Sequence, residues 1–277
     1  MTTTRQIAMQ TFDHTFEDAV SAPAYHWTNP DGSEGGIVAA SAIVDPTAII
    51  NPYAEVSPGV RIDSYAHIGE GSRLRLNARI GSCARIGENV SIGEDARIGK
   101  DASIDRYASI GYRARIGEGA HIDSEAIIAP RASVGYYASI GEDAFINDGA
   151  DIGCCVSIDK SARIGEGASV GDGARIDEGA RIGYYTRIGD RAIIGKNARI
   201  DDSARIGEGA NIGSGVKIGY YASISYYARI GEGASIGDDA SIDRYARIGD
   251  LARIGDDASI EPGACIDEGA SIVSDFG

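Results

Sequence analysis

The chain has 277 residues, room for one or two ordinary domains, of which 43% are hydrophobic and 24% charged. Its formal net charge of −15 and pI near 4.6 disfavour general binding to nucleic-acid phosphates or anionic membranes and favour solubility. No stretch reads as a signal peptide or an apolar membrane span, so the sequence predicts a cytoplasmic protein.

Residues 1–36 carry no repeat. TFDHTFEDAV is mildly amphipathic, and AYHWTNPDGSEGG is rich in turn formers and holds the only tryptophan. We expect this segment to cap the start of the repetitive remainder of the chain, with Phe16 and Trp27 as its apolar anchors. The alternative is a docking peptide for a partner.

From residue 38 to residue 272 every sixth residue is aliphatic: 34 Ile, five Val and one Leu in 40 unbroken positions. Two residues before each lies a second column, Ala42 to Ala270, with Ala at 33 of 39 positions. A period this strict marks a stacked-repeat architecture. In a unit such as Ala114-Arg115-Ile116-Gly117-Glu118-Gly119, Ala and Ile are two apart and point to one side of an extended chain. Arg115 points to the other side. The remaining residues are turn chemistry, and the last is Gly, Asn or Asp in 21 of 40 units. A helix fails on geometry, because residues six apart on a helix sit on nearly opposite faces. The domains expected are therefore a capping extension, 1–36, and a repeat domain, 37–277.

Units such as IGEGAS, IGENVS, IGEDAR and IGDDAS resemble the hexapeptide repeat of left-handed parallel β-helices, over about residues 37 to 275. The resemblance implies an all-β fold in which three hexads make one triangular coil. It supplies the left hand, which the period cannot. Forty hexads then give about 13 coils with a short N-terminal cap. The resembled superfamily holds many acyltransferases and the zinc-dependent γ-class carbonic anhydrases. In its acyltransferases a histidine base commonly works near a cleft between subunits, often beside an extruded loop and a C-terminal helical segment. The loop and the helical segment are missing from this sequence, and so is the γ-class zinc motif.

Few residues are candidates for chemistry. His14 and His26 fall in the extension. His67 and His121 take outward strand positions three coils and about 14 Å apart. They cannot share one metal, whose ligands lie about 2 Å from the ion. Either could act as a general base across a subunit interface, His121 being the better placed, or both could be plain surface residues. Cys83, Cys154, Cys155 and Cys265 lack metal-ligand spacing. Glycine-rich units serve bends, not phosphate loops, since no strand–loop–helix context exists. The sequence thus implies no metal and no cofactor; were the chain an enzyme, the resemblance would make it a coenzyme A-dependent acyltransferase.

The outward positions hold two cationic ladders with one member per coil: Arg61, Arg79, Arg97, Arg115, and Arg163, Arg181, Arg199, Lys217. Stacked cations repel by roughly 0.8 kcal/mol per neighbouring pair in bulk water. The plain expectation is that corner acids such as Glu94, Asp95, Glu118, Glu166 and Glu178 neutralise them. The functional expectation is a strip for a nucleotide or other anionic small ligand. The second ladder is favoured because Tyr184, Tyr185, Tyr220 and Tyr221 flank it. Thirteen of the 14 tyrosines lie in the repeat, all at turn positions, which suits contacts between prisms in a homo-oligomer. The oligomer could be a trimer through faces or corners, or an end-to-end dimer through an open last coil, unless Phe276 folds over that end. The leading function from sequence is a non-catalytic, self-assembling scaffold or binding protein. An acyltransferase acting at a subunit interface and a protein that sequesters an anionic ligand are the alternatives.

Overall fold

The computed structural model describes residues 10–17 and 19–273. Each hexad becomes a two-residue strand followed by a bend, as at Arg115–Ile116. Of 42 strands, all but the first three are two residues long. Successive strands fall on three different sheets, and each pairs in parallel with the strand three hexads on, as Arg79 with Arg97 and Ile80 with Ile98. The sheets contain 16, 13 and 13 strands. The result is an all-β parallel solenoid of about 13 coils, consistent with the left-handed β-helix that the repeat resembles. Among the described residues there is no helix.

The interior is the sixth-residue column. From Ile50 to Ile260 every member is at most 5% exposed, and the alanine column beside it is equally buried. Burial of this kind contributes roughly 1.5–3 kcal/mol per large aliphatic side chain before entropy is subtracted. Where a polar residue replaces alanine, its hydroxyl finds a partner, as buried polar groups must. Ser72 Oγ donates to Gly87 O at 2.6 Å and accepts from Val90 N, and Thr186 Oγ1 donates to Asp201 O at 3.0 Å.

Strands and corners are both bonded from coil to coil. Arg115 N donates to Ala132 O at 2.9 Å, and Tyr137 N at the next corner donates to Glu118 O at 3.0 Å. This stacking imposes one backbone shape on all corners. From Tyr53 to Gly269 the last corner residue always has positive φ, including Tyr185, Arg191 and Leu251 at 55–57°. The residue types that tolerate this shape fill only about half the positions, so stacking overrides local preference elsewhere.

The three longer strands, β1 (Phe12–Thr15), β2 (Ser21–Thr28) and β3 (Glu34–Ala39), form an antiparallel meander. β3 also pairs in parallel with Glu55–Val56 and so joins the meander to the first coil. Trp27 closes the end of the core, with its indole N–H donating to Ala48 O at 3.3 Å. Asn29 satisfies an otherwise open strand edge: Oδ1 accepts from Ile50 N at 2.9 Å and Nδ2 donates to Ile50 O at 3.2 Å. Phe16 is buried in a separate small cluster with Ala24 and Ala39. The amphipathic stretch around it is therefore a strand and turn that lean on the outside of the solenoid, where Glu17 meets Arg73 at 3.0 Å. At the opposite end Ala264, Ile266 and Ile272 are only partly buried. Phe276 lies outside the described residues.

The three faces are named below by their contents. The cap face carries β1–β3, the arginine face begins at Ile43–Val44, and the histidine face begins at Ile49–Ile50.

Candidate functional site

His67 and His121 share the histidine face, three coils apart, with Arg85 and Ser103 between them. Their surroundings differ. His121 Nε2 lies 2.7 Å from Asp123 Oδ1 and 4.0 Å from Asp105 Oδ2. One ligand atom from each of the three falls within 4.8 Å of the others, a grouping that could hold a cation. At the position matching Asp123, two residues after His67, stands Gly69. Weighing the two histidines as a pair misses these acids. The available signal was column arithmetic: Asp105 and Asp123 are three hexads apart, hence stacked, and His121 is on the same strand and face.

The second ladder stands as expected, with Arg163, Arg181, Arg199 and Lys217 in direct parallel register on the cap face. Tyr184, Tyr185, Tyr220 and Tyr221 occupy the corner beside it and are exposed. The expected neutralisation of the ladders is corrected. Among the described residues Arg79, Arg97, Arg115, Arg163, Arg181, Arg199 and Lys217 make no ion pair, and only Arg61 does, with Asp63 at 3.0 Å. The acids serve the corners instead. Lys196 Nζ donates to Glu178 at 2.7 Å, Lys160 lies 3.1 Å from Glu142, and Arg113 lies 3.3 Å from Asp95. Other carboxylates accept from corner amides of the preceding coil, as Asp202 Oδ1 does from Tyr184 N at 2.8 Å and Asp238 Oδ1 from Tyr220 N at 2.9 Å. Strand residues and corner residues point in different directions, and the shorter reach is from corner to corner.

Three of the four tyrosine pairs follow a pattern that sequence reasoning also missed; the fourth, Tyr220-Tyr221, follows Asp202-Ser203. One coil before Tyr136-Tyr137, Tyr184-Tyr185 and Tyr226-Tyr227 stands Glu-Gly, at Glu118-Gly119, Glu166-Gly167 and Glu208-Gly209. The ring of the second tyrosine lies where a side chain on that glycine would project. Two hydroxyls reach the glutamate: Tyr185 Oη donates to Glu166 at 3.5 Å and Tyr227 Oη to Glu208 at 3.4 Å.

Three cavities adjoin the arginine face. One of about 550 Å³ is polar and takes Arg79, Arg97, Arg113 and Arg115 with Asn77 and Asp95. Two others sit on the opposite side of the strand column, against the corner between the arginine and histidine faces that carries Tyr136 and Tyr226. The larger, about 570 Å³, is lined by Arg187, Arg205, Glu208, Ser223, Tyr226 and Tyr227 among others. The smaller, about 400 Å³, is lined by Arg97, Lys100, Arg115, Glu118, Ser133 and Tyr136 among others. Neither contains a residue of the favoured second ladder. Arg181 and Lys217 take the outward position beside Tyr184 and Tyr220, where these two clefts have Ser133 and Ser223.

Two partly buried carboxyls stand out electrostatically. Burial pushes Asp177 and Asp201 above the ordinary carboxylate range, with Asp159 adding to the first and Asp202 to the second. The Lys196 hydrogen bond holds Glu178 below it. All four cysteines are free thiols.

Residues 185–220 match the family model described as bacterial transferase hexapeptide (six repeats). No curated protein matches the sequence. Among solved structures, the chain is similar to a UDP-N-acetylglucosamine acyltransferase from Campylobacter jejuni, at 22% identity and a TM-score of 0.35, over 61% of this chain and 66% of that one. It is similar to the enzyme of the same name from Francisella novicida at 21% identity and a TM-score of 0.33, over 72% and 68%. A third, from Arabidopsis, gives 17% identity and a TM-score of 0.29, over 76% and 70%. The chain spans just under two thirds of the Campylobacter enzyme. Likenesses of this size lend no support to a particular activity. The repeat, its three-hexad coil and the family model together make this a hexapeptide-repeat β-solenoid.

Proposed function

We propose that this hexapeptide-repeat solenoid is a non-catalytic scaffold that self-associates and presents its outer surface to partners. The observation that carries the reading is the unbroken coil. From Ile43 to Ala270 each strand is followed by the same tight bend, and no segment of that span leaves the coil to build a catalytic loop. Variation is confined to outward strand positions and corners. On the corner beside the cap face, Tyr184, Tyr185, Tyr220 and Tyr221 present exposed rings on a rigid frame, and tyrosine of this kind favours interfaces. We place the contact between prisms there, in a trimer. Mass in solution tests the assignment. The wild type should sediment as a trimer, and Tyr220→Ser with Tyr221→Ser should sediment as a monomer at the same concentration. A monomeric wild type, or a dimer broken by a bulky tag at Gly277 and indifferent to the tyrosines, would sink the corner contact.

A second reading, a coenzyme A-dependent acyltransferase, rests on His121. Its 2.7 Å contact with Asp123 has the base-and-orienter geometry that general-base catalysis uses. Turnover of acetyl-coenzyme A with amine and hydroxyl acceptors, lost in both His121→Ala and Asp123→Asn, would favour it over the scaffold. Equal turnover in wild type and His121→Ala would remove it.

A further inference from the structure

The two arginine-face clefts are one design used twice. Five polar or aromatic residues of the first recur five coils later in the second: Arg97 and Arg187, Arg115 and Arg205, Glu118 and Glu208, Ser133 and Ser223, Tyr136 and Tyr226; Lys100 of the first does not, Asp190 standing at its matching position. Five coils of stacked strands set the clefts about 24 Å apart on one face. In each, two arginines on adjacent coils stand in direct register and a serine follows in the next coil.

We infer that each cleft binds a nucleoside diphosphate, two per chain. The arginine pair supplies the phosphate end. Among the described residues neither Arg187 nor Arg205 has an ion pair, and the same holds for Arg97 and Arg115. Like charges stacked side by side repel, and an anion bridging them removes that repulsion. Guanidinium forks grip phosphate oxygens two at a time. The serine hydroxyl adds a donor on the next coil, and Lys100 adds a cation to the smaller cleft.

The corner supplies the base end. Tyr226 is held in place from two sides: Arg244 donates to its hydroxyl at 2.9 Å, and its ring meets Tyr245 edge-on at 5.7 Å. This held ring, and in the smaller cleft Tyr136, where Cys154 and Cys155 stand at the positions of Arg244 and Tyr245, offers a heterocycle a stacking face at the rim of an apolar wall. Volumes of about 570 and 400 Å³ are of the size small-molecule sites occupy. A lone phosphate would use the arginines and leave the tyrosine wall empty.

Calorimetric titration of the full chain with ADP, pyrophosphate and adenosine tests this independently of self-association. ADP should bind at two sites per chain. Pyrophosphate and adenosine should each bind at least about tenfold more weakly, the scale of one base–aromatic stack. Ser223→Arg copies the cap-face arrangement and should leave one site. Ser133→Arg should do the same, and the double variant should bind none. Should either variant melt early, Arg187→Gln/Arg205→Gln and Arg97→Gln/Arg115→Gln probe the same two clefts. Pyrophosphate binding as tightly as ADP, no ADP binding, or two sites surviving in the double variants would overturn the inference.

Discussion

Arg163 and Ile164 are neighbours in sequence and obey opposite rules. The column of Ile164 admits only aliphatic residues over 40 positions, whereas the column of Arg163 on the cap face holds Glu55, Ser91, Ile127, Phe145 and Lys217. The difference is one of environment. Inside, each side chain touches the same residue type above and below, and the triangle has a fixed width. Outside, each side chain meets water and its two coil neighbours. The interior therefore carries the fold and nothing else. Any chemistry of this molecule has to be sought one residue away from it.

The sharpest way to break that contrast is to put one charge in both columns. Ile164→Asp places a carboxylate in a dry ladder with no partner, at a cost of several kcal/mol. Arg163→Asp should change stability by no more than about 0.5 kcal/mol. In denaturant melts the first should lose its folded baseline or shift strongly, and the second should overlay the wild type. Equal midpoints would mean that the register is wrong.

The corners sit between these extremes, and glycines there separate two costs. Gly209 has φ +63° and faces the Tyr227 ring, while Gly149 has φ +64° and faces nothing within 4 Å. Gly149→Ala should lose only the backbone term, about 1 kcal/mol. Gly209→Ala should lose that and a further steric term, which Tyr227→Ser in the same chain should restore. If the two glycine variants melt alike, the ring gives way freely and the Glu-Gly rule before tyrosine pairs has no packing basis.

The fold was legible because a period of six has one structural solution here, and the column of aliphatics names its own inside. The cap was legible only in its anchors. Nothing in TFDHTF signals that β1 would lean on the outside of the solenoid, since its contact there, His14 with Glu55 at 3.5 Å, depends on a residue of the repeat. The site was less legible for a different reason. Sorting cations by face found the ladders but gave no weight to the serine that stands beside two of the four tyrosine pairs. Ser133 and Ser223 look like filler in sequence, yet each lines one of the two clefts. Asp105 was hidden in the same way, almost a full coil before His121 in sequence and beside it in space.

The smallest effect compares two adjacent carboxylates with opposite sign. Burial lifts the Asp177 carboxyl above its ordinary range, so the folded state binds a proton more readily than the unfolded one. Its ionised form costs stability above the folded pKa, and the cost vanishes as pH falls below the unfolded value. Glu178, one residue on, is held low by Lys196, so its stabilisation is present above the unfolded pKa and lost as pH falls through the folded one. Asp177→Asn should therefore melt slightly higher than wild type at pH 7, by no more than about 0.5 kcal/mol, and the gain should close in acid. Glu178→Gln should melt slightly lower at pH 7, and its deficit should also close in acid. Thermal melts of the two variants between pH 7 and pH 3 would then converge on the wild type from opposite sides. Convergence from the same side would show that one residue has been assigned the wrong environment. The strand edge and the corner would then not differ in solvation as the columns require.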